Sequence, residues 1–335
     1  MQFHENIDLF PYNSFGIKVS ARFFGRITGI DQLFSLDQDI KLPILILGGG
    51  SNILFTDNYN GYVLRNEIMG IEKISEDDDH VYLQAGAGEN WHGLVEYCIR
   101  HNYAGLENLA LIPGLAGASP MQNIGAYGVE IRDLFHSLSA FHLQEKRMVE
   151  FNSRDCAFGY RESVFKRKYK GQFVICQVVY RLNKKPVFNT TYGAIEGELE
   201  KMKVHELSIR AIADAVIRIR KAKLPDPAVI GNAGSFFKNP EISTDKYHEL
   251  ESAFQGLVGY ELPSGNVKLA AGWLIEQAGW KGYRDGNAGV HDRQALVIVN
   301  YGGASGSDIY SLSEKIIESI REKFHVELER EVNII

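Results

Sequence analysis

Two glycine-rich segments, Gly48-Gly49-Gly50-Ser51-Asn52 and residues 113–128 (PGLAGASPMQNIGAYG), each follow an apolar run and read as a cradle for a pyrophosphate. Glycine permits positive φ and has no Cβ to keep an anion away. Successive N–H groups can therefore converge on one phosphate oxygen, while Ser51, Asn52, Ser119 and Asn123 offer side-chain donors. A pair of tight turns has the same composition. Three further segments hold polar groups. In residues 156–165 (CAFGYRESVF), Arg161 follows a glycine and an aromatic, a setting suited to holding a guanidinium against a carboxylate or an enolate. In residues 231–240 (GNAGSFFKNP), Ser235 stands between a glycine and two aromatics, where its hydroxyl could give a proton to a developing carbanion. Near the end of the sequence, Glu329 and Glu331 fall on one face of an alternating run, and spacing does not choose between them. Each of these also has a plainer reading: a surface arginine, a turn serine and charges that discourage edge pairing.

The familiar nucleotide motifs are missing. Gly48-Gly49-Gly50-Ser51-Asn52-Ile53 and Gly86-Ala87-Gly88-Glu89-Asn90-Trp91 both lack the third glycine of G-x-G-x-x-G, and no G-x-x-x-x-G-K-[ST] occurs. Ser235 is in no G-x-S-x-G elbow, so a hydrolase nucleophile is not indicated. A different phosphate-binding architecture is required.

The 335 residues suffice for two or three compact domains, and 45% hydrophobic with 23% charged residues is ordinary for a soluble protein. A formal charge of -6 argues against broad binding to a nucleic-acid backbone and leaves room for a local basic pocket. Cys98, Cys156 and Cys176 are far apart and in no C-x-x-C pair, so neither a disulfide framework nor a metal site is encoded. Without a signal pattern or an apolar run near the ~20 residues of a membrane span, the chain reads as cytoplasmic, with no membrane partner.

The elements that would position these groups are legible in outline. Residues 43–47 (PILIL) suit a buried strand that delivers the first cradle loop. Residues 90–102 place Trp91, Leu94, Val95, Cys98 and Ile99 at helical spacing, while residues 173–182 are rich in strand formers. Ser208 caps a helix with Ile209, Ile212, Val216 and Ile219 on one face, and Leu224-Pro225-Asp226-Pro227 stops it at a domain boundary. A second helix is expected from Lys268 to Gly279, and a third, capped by Ser307, presents Ile309, Leu312, Ile316 and Ile320. The last ten residues alternate as a strand, and Glu76 to Asp79 read as a solvated loop.

Eight segments in order resemble the UDP-N-acetylenolpyruvoylglucosamine reductase (UDP-N-acetylmuramate dehydrogenase) family. They are NSFGI (13–17), LGGGSN (47–52), IPG (112–114), QNIGAYG (122–128), FGYR (158–161), KLPDP (223–227), residues 231–240 and LEREV (328–332). The likeness runs over nearly the whole chain, and eight motifs at compatible spacing are specific where any one is weak. It implies an α+β protein: an FAD-binding fold of the vanillyl-alcohol-oxidase (PCMH) type with an additional C-terminal α/β substrate domain. Residues 1–68 with 327–335 would be FAD-binding subdomain 1, residues 69–222 subdomain 2, and residues 223–326 the substrate-binding domain.

The resemblance implies that NADPH reduces FAD, which then passes hydride to the enolpyruvyl double bond of UDP-N-acetylglucosamine enolpyruvate, giving UDP-N-acetylmuramate for peptidoglycan. FAD would lie on Gly48, Gly49, Gly50, Ser51, Asn52, Pro113, Gly114, Ser119, Pro120, Asn123, Gly125 and Gly128. Ser235 matches the family's proton donor, and Arg161 with Glu331 the pair that stabilises the enol-like intermediate. Tyr127, Tyr192, Lys223, Asn239 and Gln294 match substrate contacts, with Tyr192 in Thr190-Thr191-Tyr192-Gly193 marking the form that has an extra tyrosine-bearing loop. Asn333 departs from the arginine of better-known members. A monomer is expected, with no metal. The competing readings are an FAD-linked oxidase of the same fold and a non-catalytic flavin or nucleotide-sugar binding module. Neither cradle loop has the histidine or cysteine with which such oxidases often tether their flavin.

Overall fold

The computed structural model describes residues 1–36, 40–192 and 194–335. The chain forms two compact units: residues 1–7, 21–50 and 59–222 make the first, and residues 8–20, 51–58 and 223–335 the second. Residues 8–20 and 51–58 fall with the second unit, as do residues 327–335, whose backbone bonds run to Asn52, Phe236 and Lys238.

In the first unit, a five-stranded antiparallel sheet runs in the order Arg147–Asn152, Phe135–His142, Phe173–Asn183, His80–Gly86, Ile71–Glu76. Its core is closed by two amphipathic helices, Trp91–Arg100 and Ile209–Lys223. The first is capped by Asn90, whose side chain accepts from the Gly93 N–H, and buries all five residues that the spacing selected. The second is capped as expected, with the Ala211 N–H on Ser208 Oγ at 3.1 Å. A smaller sheet orders His4–Asp8, Ser20–Ile27, Tyr59–Asn66 and Ile44–Leu47, the last three parallel. Ile44–Leu47 stands last in that order and buries only Leu47 fully, so the apolar run belongs to an outer strand and not to a strand covered on both faces.

The second unit packs the helix Gly306–Phe324 with a four-stranded sheet ordered Gly231–Asn232, Ile298–Asn300, Ala288–Val290, Arg284–Asp285. All four residues expected on the helix face are buried, but the cap is Ser305, which forms a capping box with Asp308; Ser307 lies inside the first turn and donates to the Thr56 carbonyl. The helix expected from Lys268 begins at Ala271. Lys268 instead pairs with Glu241 on one side and Tyr260 on the other in a three-stranded sheet, so strand pairing overrides local helical spacing there. Gly279, at φ +85°, follows the helix end as expected. The final segment keeps the alternating burial but forms a ladder only at Asn333–Ile334, parallel to Ile53–Leu54, and a bridge between Arg330 and Phe237. Glu76 ends a strand, and Asp77 to Asp79 form the exposed hairpin turn after it. Among the described residues, no helix is long and apolar enough to cross a membrane, and no cluster of metal-ligating side chains occurs.

Candidate active site

The two glycine loops touch backbone to backbone within the first unit. A Cβ on Gly49 would lie 3.1 Å from Gly114 Cα, and Gly50 and Gly114 sit at φ +63° and +126°, values that side chains rarely allow. The turn after them is equally close: the Gly117 N–H donates to the Ala87 carbonyl at 3.0 Å, and a Cβ on Gly117 would meet Ala87 Cβ at 2.4 Å. Pro113 is exposed beside Gly114, and Pro120 is buried beside Ser119. This main-chain juxtaposition offers neutral N–H donors without side-chain obstruction, which fits an anionic diphosphate.

Two of the side-chain donors expected in the cradle are spent elsewhere. Ser119 Oγ lies 2.8 Å from the Ala116 carbonyl and 2.8 Å from the Tyr180 hydroxyl, in a region where burial pushes the Tyr180 phenol well above its ordinary pKa. Asn123 is fully buried, and its amide bonds Glu130, Gly159 and Arg132. Both residues brace the loop from behind. Ser51 and Asn52 lie in the second unit, where Asn52 Nδ2 donates to the Glu331 carbonyl at 3.3 Å.

The motif read as a loop at 122–128 is a two-residue hairpin. Gly125–Ala126 pairs with Val129–Glu130, and the tip residues Tyr127 and Gly128 have φ +49° and +81°, the signature of a type I′ turn. An aromatic residue in the left-handed region is strained, and such strain persists where surrounding structure enforces it. Here the enforcing group is Asn108, 1% exposed, whose Nδ2 donates to the carbonyls of Tyr127 at 2.9 Å and Asn189 at 2.8 Å. The loop that carries Tyr192 is thereby tied to Tyr127, and Asn189 Nδ2 also donates to the Gly128 carbonyl. Tyr192 is 51% exposed; Gly193 lies outside the described residues. Burial raises the Tyr127 pKa, with Arg220 opposing, so the phenol is a neutral donor. Arg220 Nε donates to the Leu111 carbonyl. Neither Asn108 nor Arg220 bears a signal in the sequence, since each sits in an ordinary helical or turn context.

Arg161 also belongs to the first unit and also has positive φ, +54°. Its Nη2 donates to the Gly125 carbonyl at 2.6 Å, and its guanidinium lies over the Tyr160 ring. Ser235, Glu331, Lys223, Asn239 and Gln294 belong to the second unit.

In that unit, the backbone of the fully buried Phe236 joins the segments that carry Ser235, Glu331 and Leu296. The Phe236 N–H donates to the Leu296 carbonyl, two residues from Gln294, and its carbonyl accepts the Glu331 N–H at 2.8 Å. Ser235 is thus fixed on one side of this node. The residue is partly exposed, and its hydroxyl bonds no protein group among the described residues. Asn239 Oδ1 accepts from the Ala271 N–H at 3.0 Å, and Gln294 Oε1 from the Leu296 N–H. Lys223 ends its helix in solvent. Glu329, read from sequence as a solvated edge charge, has a buried partner. Lys238 Nζ, in a side chain 8% exposed, sits 2.6 Å from Glu329 Oε1, and the Lys238 N–H donates to the Glu329 carbonyl. Lys238 stands within the motif that carries Ser235, but nothing in the sequence marked it as buried.

Two family models match the chain: an FAD binding domain over residues 35–144 and the C-terminal domain of UDP-N-acetylenolpyruvoylglucosamine reductase over residues 226–335. Curated relatives named UDP-N-acetylenolpyruvoylglucosamine reductase include that of Amoebophilus asiaticus, 52% identical over 100% of both chains. That of Pseudomonas putida is 46% identical over 100% of this chain and 99% of its own. The crystal structure of UDP-N-acetylenolpyruvylglucosamine reductase from Thermus caldophilus superposes with a TM-score of 0.69 at 24% identity, covering 100% of this chain and 99% of that one. The expected α+β class, with an FAD-binding part of the vanillyl-alcohol-oxidase type and a further C-terminal domain, stands.

Proposed function

Because the chain belongs to the UDP-N-acetylenolpyruvoylglucosamine reductase family, we propose that its own residues perform that reduction as follows. The protein is an FAD-containing, NADP-dependent oxidoreductase that reduces the enolpyruvyl group of UDP-N-acetylglucosamine enolpyruvate to UDP-N-acetylmuramate, a precursor of peptidoglycan. When bound, FAD supplies a two-electron acceptor for NADPH and a hydride donor to the alkene. The backbone of Gly48, Gly49, Gly50, Gly114, Gly125 and Gly128, with Ser51 and Asn52, would hold its diphosphate, and Pro113, Ser119, Pro120 and Asn123 would shape the loop around it.

Hydride arrival at one alkene carbon builds negative charge on the other and on the adjacent carboxylate. Arg161 offsets that charge, Glu331 acts as its partner in holding the enol-like intermediate, and Ser235 protonates the carbanion. Tyr127, Tyr192, Lys223, Asn239 and Gln294 bind the sugar nucleotide, with the Lys223 ammonium and a tyrosine hydroxyl suited to the UDP diphosphate. We assign most of the substrate surface to residues 223–326 and expect a cytoplasmic monomer, which size-exclusion chromatography and fractionation test. The observation that carries this reading is Ser235: its backbone is fixed through the next residue, while the residue is partly exposed and its hydroxyl is bonded to no protein group among the described residues.

An anaerobic titration tests the reading. The yellow protein should bleach with NADPH and recover its colour with the enolpyruvyl sugar nucleotide. Bleaching by an alcohol would identify an oxidase, and no redox response a binding module.

A further inference from the structure

We propose that Asn123 is a positioning residue for Arg161 and acts on the reaction through that guanidinium, an inference that rests on the role given to Arg161 above. Asn123 is fully buried at φ +45°, a conformation that asparagine tolerates better than other side chains. The two N–H bonds of Nδ2 go to Gly159 O at 3.0 Å and Glu130 Oε2 at 2.9 Å, and Oδ1 accepts the Arg132 N–H at 3.0 Å. The hydrogens of the amide are both used, and its oxygen is engaged, within the protein.

The destinations of these bonds define the role. Gly159 opens the turn that carries Arg161, and reciprocal backbone bonds between Gly159 and Glu162, at 3.1 and 3.3 Å, close that turn. Fixing the Gly159 carbonyl therefore fixes the turn's base. At its tip, Arg161 Nη2 reaches the Gly125 carbonyl, and Gly125 is the strand partner of Glu130. Amide and guanidinium thus join the same two segments in parallel: Asn123 ties the base of the turn to Glu130, and Arg161 ties its tip to Gly125. A Cβ on Gly125 would lie 2.9 Å from Arg161 Nη1, so the guanidinium rests directly on the hairpin backbone. A long side chain held at its tip alone could pivot. The second tie removes that freedom and aims the charge before substrate arrives, which is the preorganisation that electrostatic stabilisation requires.

The test uses the FAD-loaded enzyme and a double-mutant cycle between Asn123→Gly and Arg161→Ala. Glycine accepts the positive φ, so the change removes only the side chain. Measured per bound flavin, reduction by NADPH should stay within about twofold, while reoxidation by the enolpyruvyl sugar nucleotide slows at least ~10-fold, as small misplacements of a catalytic group do. Added to Arg161→Ala, Asn123→Gly should slow reoxidation no further, because the two act as one unit. Equal slowing in both backgrounds, or no slowing by Asn123→Gly where Arg161→Ala is slow, overturns the positioning role and leaves Arg161's role standing. A colourless Asn123→Gly protein returns the amide to the flavin cradle. Wild-type reoxidation by Arg161→Ala overturns the reading of Arg161 itself. If Asn123→Gly does not fold, Asn123→Ser, which keeps an acceptor for the Arg132 N–H, enters the same cycle with the same expectations.

Discussion

The turn that carries Arg161 and the segment that carries Ser235 are held in opposite ways. Arg161 sits at a left-handed backbone position, braced by a buried neutral amide and by its own bond to the hairpin at Gly125. Ser235 sits next to a main-chain node, Phe236, whose N–H and carbonyl are both taken, while its own hydroxyl bonds no protein group among the described residues. The roles proposed for the two residues give the contrast a chemical reason. A cation that stabilises developing charge must be aimed in advance, whereas a proton donor needs a fixed oxygen and a hydroxyl free to rotate towards its acceptor.

If that contrast is right, substitutions in the two regions should separate by half-reaction and by size. The largest effect is expected from Ser235→Ala. Stopped-flow reduction by NADPH should be nearly unchanged while reoxidation by substrate slows by ~10² or more, the usual cost of losing a general acid. Equal slowing of both half-reactions would remove Ser235 from proton transfer. Gly50→Val comes next and acts on the cradle, where φ is +63°: the purified protein should be pale, and the absorbance ratio of flavin to protein reads the loss. A fully yellow, active variant would take the cradle out of the argument.

A smaller effect sharpens the second region. Glu331→Gln should depress turnover with little change in flavin content or stability. Glu329→Gln should do the reverse, costing about 1–2 kcal/mol in urea melts, because the negative charge paired with a buried ammonium is removed. Read from sequence alone, Glu329 is a solvated charge whose loss should stay within about 0.5 kcal/mol. A urea midpoint unchanged by Glu329→Gln would restore that reading, and a crippled turnover would move the catalytic role from Glu331 to Glu329.

The smallest effect is set by His291, 4% exposed, whose Nδ1 accepts the Arg293 N–H in the loop that leads to Gln294. Burial holds its pKa below the ordinary 6.5 despite the opposing pull of Asp292. The unfolded chain therefore takes up a proton before the folded one does. Its contribution to stability is complete above pH ~6.5 and is lost as pH falls through the folded-state value. Melting temperature should decline on acidification from pH 7 to 5, and His291→Gln should flatten that decline.

Sequence made some of this visible and hid the rest for physical reasons. Helix faces such as Trp91, Leu94, Val95, Cys98 and Ile99 follow from local periodicity, and their burial matches. Capping residues were legible only to within a turn, as Ser305 in place of Ser307 shows, because two serines two residues apart offer the same chemistry. Lys268 was misplaced because its partners Glu241 and Tyr260 lie away in sequence, and a pairing of that kind has no local pattern. The candidate site divides likewise. Glycine, serine and arginine motifs announced themselves by type. Asn108, Asn123 and Lys238 did not, because bracing depends on which distant carbonyl or carboxylate a side chain meets.

The second unit's assembly from three separated stretches has a consequence for how the protein is made. Asn300 Nδ2 bonds the Phe15 carbonyl, and the Asn52 carbonyl accepts the Asn333 N–H. On a translating ribosome, residues 8–20 and 51–58 emerge early, but their partners follow only after the whole of the first unit has been synthesised. At bacterial elongation rates of roughly 5–20 residues per second, those two stretches, joined to each other through Ser20 and Asn58, wait about ten seconds or more for residues 223–335. The nascent chain thus holds a nearly complete first unit beside apolar tethers, among them Phe15, Ile17 and Phe55, that stay uncovered until synthesis is almost finished. That interval gives a general chaperone its opening and makes the yield of folded protein depend on translation speed.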